Sequence, residues 1–146
     1  MKNILFLTTA LLFFSYTSKA QEWQTDFPKA RELAAKNHKS IILVFQGSDW
    51  CAPCIKLDRE IWSTEAFKSY AATHFVMLKA DFPRKKKNAL PPAQEKANAR
   101  LAERYNQNGI FPLVVVLDAD GNVQGKTSYK NMSPSEYITL LESFKS

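Results

Sequence analysis

The chain has 146 residues, a formal net charge of +6 and a hydrophobic content of 45%. This length suits one domain with one core, and the hydrophobic content excludes an intrinsically disordered chain. The excess positive charge is modest, and part of it lies in one basic run at residues 84–87. We expect this run to be a solvated loop and do not expect nucleic acid as a partner.

The first 20 residues are predicted to be an export signal. Lys2 is followed by a hydrophobic stretch at residues 4–16 and by small residues at Ser18 and Ala20. A basic start, a short apolar centre and small residues at its end are typical of a secretory signal peptide with cleavage after Ala20. A retained membrane anchor needs about 20 apolar residues, so the length disfavours it. We therefore expect a periplasmic or otherwise exported protein whose one domain is residues 21–146.

Hydrophobic periodicity predicts helices and buried strands in alternation. Residues 41–46 and 113–117 are continuous apolar runs, which are typical of central strands covered on both faces. Ser133 followed by Pro134 and Glu136 combines a capping box with a proline at the first helical position. In chain order we predict a helix at 26–37, a strand at 41–46, a helix from the cysteines to about 62, a short helix after 63–65, a strand at 75–81, a loop at 84–92, a helix at 93–105, strands at 113–117 and 122–127, and a last helix after 133. This order predicts an α/β fold, a mixed sheet with helices on both faces.

Cys51 and Cys54 are the two cysteines of the chain. They follow the strand at 41–46 and lie at the predicted start of a helix, whose N-terminus carries about half a positive charge and stabilises a thiolate. Cys51 is therefore expected to be the reactive cysteine. Cys54, one helical turn further along, can reach it and close a disulfide, so the pair can cycle between dithiol and disulfide.

Two other roles for the cysteines are weighed against redox chemistry. A structural disulfide across so small a ring removes little entropy from the unfolded chain. A zinc site needs about four ligands, and the other candidates, His38 and His74, stand singly in the sequence. We expect neither a metal nor another cofactor.

Three motifs, in order along the chain, resemble the thioredoxin superfamily. They are Trp50-Cys51-Ala52-Pro53-Cys54 at a strand-to-helix junction, Gly109-Ile110-Phe111-Pro112 before the next central strand, and the turn Asp118-Ala119-Asp120-Gly121. The resemblance implies a thioredoxin-like fold in which Pro112 is the cis-proline that lies against the disulfide. It also implies that Trp50, Phe111 and Pro112 bind substrate beside the catalytic Cys51 and Cys54.

More narrowly, the sequence resembles exported thioredoxin-like reductases and isomerases of bacterial cell envelopes. This resemblance implies a monomeric thiol–disulfide oxidoreductase that acts on protein disulfides and draws electrons from a membrane-borne donor. The dipeptide Ala52-Pro53 lacks the histidine of the strong oxidants in the superfamily, which favours a reducing role. A dedicated role in cytochrome c maturation would use the same chemistry. A non-catalytic binding module is the alternative, although such modules commonly lose one or both cysteines.

The chain departs from the thioredoxin pattern at a buried charged pair. Thioredoxins place an aspartate six positions before the first cysteine and pair it with a lysine on the next strand. Alignment on the cysteines puts Phe45 and Met77 at these positions. We expect the two side chains to be neighbours behind the disulfide, and water to accept the proton of Cys54.

Overall fold

The computed structural model of the protein describes residues 21–145. The predicted signal peptide therefore lies outside the described residues. Within residues 21–145, no helix combines the length and the apolar character needed to cross a membrane.

Ten helices and strands are described, and all but the first strand were predicted. They are β1 (Trp23–Gln24), α1 (Phe27–Asn37), β2 (Ser40–Gln46), α2 (Ala52–Leu57), α3 (Glu65–His74), β3 (Phe75–Asp81), α4 (Pro92–Tyr105), β4 (Leu113–Leu117), β5 (Val123–Thr127) and α5 (Pro134–Glu142). A π-helical turn, Asp58–Trp62, continues α2, and a 3₁₀ turn, Lys86–Asn88, lies before α4. β1 was missed because two residues are too few to show a strand pattern.

The strands form one mixed sheet in the order β1-β3-β2-β4-β5, which confirms the predicted fold class. β1, β3 and β2 are parallel, whereas β4 runs antiparallel to both β2 and β5. Gln46 at the end of β2 pairs with Asp81 at the end of β3, and Phe45 pairs with Leu113 at the start of β4. The segments that follow β2 and β3 and the segment that precedes β4 therefore meet at one edge of the sheet.

Helix caps follow the predicted residues. Asp26 accepts a hydrogen bond of 2.8 Å from the backbone N–H of Lys29 at the start of α1. Ser133 and Glu136 form the expected reciprocal capping box at the start of α5. These side chains satisfy amide groups that have no partner within the helix, and so fix where each helix begins.

Phe45 and Met77 face opposite sides of the sheet, so the expectation that they are neighbours is wrong. Residues paired between parallel strands share a face, and successive residues alternate. Phe45 pairs with Ala80, which places Met77, three residues earlier, on the other face. Phe45 packs in the core beneath α1 and α4, and Met77 in the core beneath α2, α3 and α5.

Candidate active site

A tight turn joins β2 to α2 at the edge where the strands end. The backbone N–H groups of Trp50 and Cys51 donate to the carbonyl of Gly47, at 3.3 and 2.9 Å. The indole of Trp50 occupies the space that a Cβ atom would fill at Gly47. Any residue larger than glycine at position 47 would displace the Trp50 ring, which lies directly before the first cysteine.

Cys51 and Cys54 are joined by a disulfide, with Cα atoms 5.2 Å apart, as the sequence predicted. Cys51 is the N-cap of α2, and its Sγ atom accepts a hydrogen bond of 3.3 Å from the backbone N–H of Cys54. Each cysteine is 4% exposed. An amide donor aimed at the Cys51 sulfur favours its anionic form over the neutral thiol.

The peptide bond between Phe111 and Pro112 is cis, which confirms the conformation expected from the resemblance. Pro112 is buried directly before β4, and its carbonyl accepts a hydrogen bond of 2.6 Å from the Ser128 hydroxyl. The Phe111 ring meets the Trp50 ring edge to face, with centroids 5.4 Å apart. The segment before β4 is thereby brought against the segment that carries Cys51.

Two residues that sequence reasoning missed complete the surroundings of Trp50. Its indole N–H donates to the backbone carbonyl of Phe82 at 2.7 Å, and the guanidinium carbon of Arg84 lies 3.7 Å from its ring centroid. The Phe82 ring also contacts the Phe111 ring, at a centroid distance of 5.5 Å. An open concavity is lined by Trp50, Phe82, Pro83, Arg84, Gly109 and Phe111.

Two aspartates fasten the neighbouring loops to each other. Asp81 accepts hydrogen bonds from the backbone N–H and the hydroxyl of Ser48, at 2.9 and 2.6 Å. Asp49 accepts from the backbone N–H groups of Arg84 and Lys85, at 2.9 and 3.0 Å, and from the Asn88 side-chain amide at 2.8 Å. The hydrogen bond from the Arg84 N–H, followed by that from Asn88, lowers the pKa of Asp49 below its ordinary value.

The positions of the missed residues follow from strand pairing and not from a local sequence pattern. Parallel neighbours that end together must bring the residues after each strand into contact, and β2 and β3 end together at Gln46 and Asp81. The sequence predicted both strands to within a residue but not that they are adjacent. Phe82 and Arg84 carry no local pattern that marks them as partners of Trp50.

The two histidines that were weighed as zinc ligands make local contacts away from the cysteines. His38 ends α1 in a left-handed conformation, and the His74 ring stacks on the Tyr70 ring at a centroid distance of 3.8 Å. Within residues 21–145, no group of three or more His, Cys, Asp or Glu side chains is arranged to hold a metal ion.

Comparison with known proteins agrees with the geometry. The model of a family described as Thioredoxin-like matches residues 22–119. The chain is 34% identical over 122 residues to the disulfide bond reductase DsbH of Chlamydia pneumoniae, covering 84% of this chain and 71% of that protein. It is 26% identical over 91 residues to the thioredoxin-related protein DsbJ of the same organism, covering 56% of this chain and 26% of that protein.

Solved structures show the same fold. A DsbH oxidoreductase superposes with a TM-score of 0.79 at 29% identity, covering 99% of this chain and 94% of that chain. A disulphide isomerase from Xylella fastidiosa Temecula1 gives a TM-score of 0.59 at 24% identity, covering 80% and 86% of the two chains.

Proposed function

The chain belongs to the thioredoxin-like family and is a thiol–disulfide oxidoreductase, and we propose that it is an exported reductase of protein disulfides. In this proposal Cys51 is the attacking cysteine and Cys54 is the resolving one. One observation carries the proposal. The two cysteines are bonded to each other at the start of α2, with an amide N–H directed at the Cys51 sulfur. A binding module of the same fold would need neither cysteine.

The proposed reaction is a two-step exchange. The Cys51 thiolate attacks one sulfur of the client disulfide, forms a mixed disulfide and displaces the other client sulfur as a thiolate, which takes a proton from water. Cys54, having lost its proton to water, then attacks the Cys51 sulfur and releases the second client thiolate. Two electrons pass from the protein dithiol to the client, which leaves as a dithiol while Cys51 and Cys54 become a disulfide.

Trp50, Phe111 and Pro112 are proposed to bind the client beside the cysteines. The ring contact between Trp50 and Phe111 places the segments before Cys51 and before β4 side by side. An extended client segment would lie across the concavity that these rings line and pair with the backbone at Phe111. Each turnover oxidises the dithiol, so a second reductant must restore it.

We propose that the protein acts in the reducing direction and outside the cytoplasm. The dipeptide Ala52-Pro53 lacks a histidine that would stabilise the reduced form, and DsbH of Chlamydia pneumoniae carries the name of a reductase. Cleavage after Ala20 would release a protein that works outside the cytoplasm as a monomer. There its dithiol would be restored by a membrane-borne electron donor.

The test uses the protein beginning at Gln21 and insulin as the client. With dithiothreitol as the reductant, we expect the protein to accelerate insulin reduction and Cys51→Ser to lower the rate to that of dithiothreitol alone. Cys54→Ser removes the resolving attack, so it is expected to accumulate mixed disulfides that non-reducing electrophoresis separates. Full activity in Cys51→Ser would overturn the mechanism, and trapping by Cys51→Ser alone would reverse the two roles.

A further inference from the structure

The basic run at residues 84–87 begins against Asp49 and Trp50, directly before Cys51, and we propose that it is a docking surface for acidic clients, in which carboxylates flank the disulfide to be reduced. We call residues 84–88 the cationic loop. The inference rests on the proposed reductase function and adds the class of client that the site selects.

The cationic loop is fastened to the segment that carries the cysteines. Asp49 lies two residues before Cys51, which limits the separation of their Cα atoms to about 7 Å. Its carboxylate accepts hydrogen bonds from the Arg84 and Lys85 backbone N–H groups and from the Asn88 side chain. Both ends of the loop are thereby held at one carboxylate next to the active site.

The charged side chains of the loop remain open to a partner. Residues 84–87 are all exposed, and none of them forms a salt bridge with a carboxylate within residues 21–145. The Asp49 oxygens are directed at backbone N–H groups and at Asn88, and the Asp49 charge also attracts the nearby Lys85 without forming a salt bridge. Arg84 lies over the Trp50 ring and so carries its charge into the wall of the concavity.

This arrangement favours a protein client over a lipid surface. Arg84 is part of the cationic loop and also lines the concavity. A molecule whose carboxylates contact the loop would therefore also lie over Trp50 and Phe111. A protein segment can present its disulfide there, whereas a membrane surface would cover the cysteines. Clustered charge of one sign raises the association rate of an oppositely charged partner by roughly 10- to 1000-fold, and salt screens the effect with a Debye length of about 8 Å at physiological ionic strength.

The test compares disulfide peptides of equal length whose flanking residues are four Glu or four Gln. The second-order rate constant for oxidation of the reduced protein, followed by Trp fluorescence, is expected to be about tenfold higher for the Glu peptide at low salt. The ratio is expected to approach one in roughly 0.5 M salt. In the variant Lys85→Gln/Lys86→Gln/Lys87→Gln the ratio is expected to fall markedly at low salt as well, with Arg84 alone left to favour the Glu peptide.

Single charge reversals supply a matched control. Lys86→Glu is expected to lower the ratio of the two rates. Lys36→Glu is expected to leave it unchanged, because Lys36 lies in the last turn of α1, before β2 begins, and the disulfide follows the far end of that strand. An equal effect of both reversals would mean that net charge, and not the loop, sets the preference, and would overturn the proposal.

The remaining outcomes separate the two proposals. If neither peptide is reduced, the reductase function fails. If both are reduced at equal rates at low salt, only the docking proposal fails. Binding of the protein to phosphatidylglycerol vesicles, lost in the triple variant and without any preference for the Glu peptide, would assign the loop to a membrane and overturn the client proposal.

Discussion

Asp49 and Asp118 accept the same set of hydrogen bonds, two from backbone N–H groups and one from an asparagine side chain. Asp118 takes all of them from its own turn, at the Asp120 and Asn122 N–H groups and the Asn122 amide. Asp49 takes them from residues 35 to 39 positions further along the chain. The same chemistry therefore closes a local turn at one end of the sheet and joins two distant segments at the other.

The difference separates what a short sequence motif specifies from what only the fold brings together. Gly121 has a left-handed φ of 85°, so the turn beginning at Asp118 follows from the order of its own residues. The partners of Asp49 meet it because β2 and β3 end at the same edge. We conclude that the hydrogen bonds of the Asp49 carboxylate depend on the pairing of β2 with β3, whereas those of the Asp118 carboxylate are all made within its own turn.

The largest expected effect tests the pairing register directly. Phe45 and Met77 are buried on opposite faces of the sheet, at 0% and 1% exposure. Phe45→Ala is expected to lower the free energy of unfolding by about 3–5 kcal/mol, and Met77→Ala by about 2–5 kcal/mol, because each leaves a cavity. Since the two side chains pack in separate hydrophobic clusters, the losses in the free energy of unfolding are expected to add in the double variant within about 0.5 kcal/mol.

Chemical denaturation of the two single variants and the double variant measures this additivity. A coupling energy above about 1 kcal/mol would mean that the two side chains touch, and that the register in which Phe45 pairs with Ala80 is wrong. Because the double variant is expected to be very unstable, the same cycle can be built from Phe45→Leu and Met77→Leu, which leave smaller cavities.

An intermediate effect is expected at the local turn. Asp118→Ala removes a carboxylate that accepts three hydrogen bonds and should lower the free energy of unfolding by about 1–2 kcal/mol. Asp120→Ala is the matched control, because the Asp120 side chain is 85% exposed and makes one weak ion pair, with Arg31 at 3.8 Å. Its expected effect is below about 0.5 kcal/mol.

Both Asp118→Ala and Asp120→Ala should leave insulin reduction unchanged. A fall in the rate constant of Asp118→Ala, with the protein still folded by circular dichroism, would connect the far turn to the active site. The Asp118 turn would then contribute to activity, and its role would not be limited to stability.

The sequence predicted the secondary structure well because caps, apolar runs and turn residues are local signals. The boundaries of β3 and β4 agree with the prediction to the residue. The cysteine pair was likewise marked by its own spacing. The neighbours of Trp50 and the faces of Phe45 and Met77 were not predictable, because a one-residue change of register between parallel strands exchanges the two faces without changing any local pattern.

The smallest effect is expected on changing the pH, and its sign follows from the pKa of Asp49. Hydrogen bonds, first that from the Arg84 N–H and then that from Asn88, lower this pKa below the ordinary value of 3.8. The stabilisation by the carboxylate is therefore complete above the unfolded pKa and is lost only as the pH falls through the lower native value. The amide proton shifts of Arg84 and Lys85 should stay constant between about pH 8 and pH 5 and move in the acid range with a midpoint below the ordinary value of 3.8. Asp49→Asn removes the titrating group and should abolish that movement, whereas movement at neutral pH in the unsubstituted protein would show that another group holds the loop.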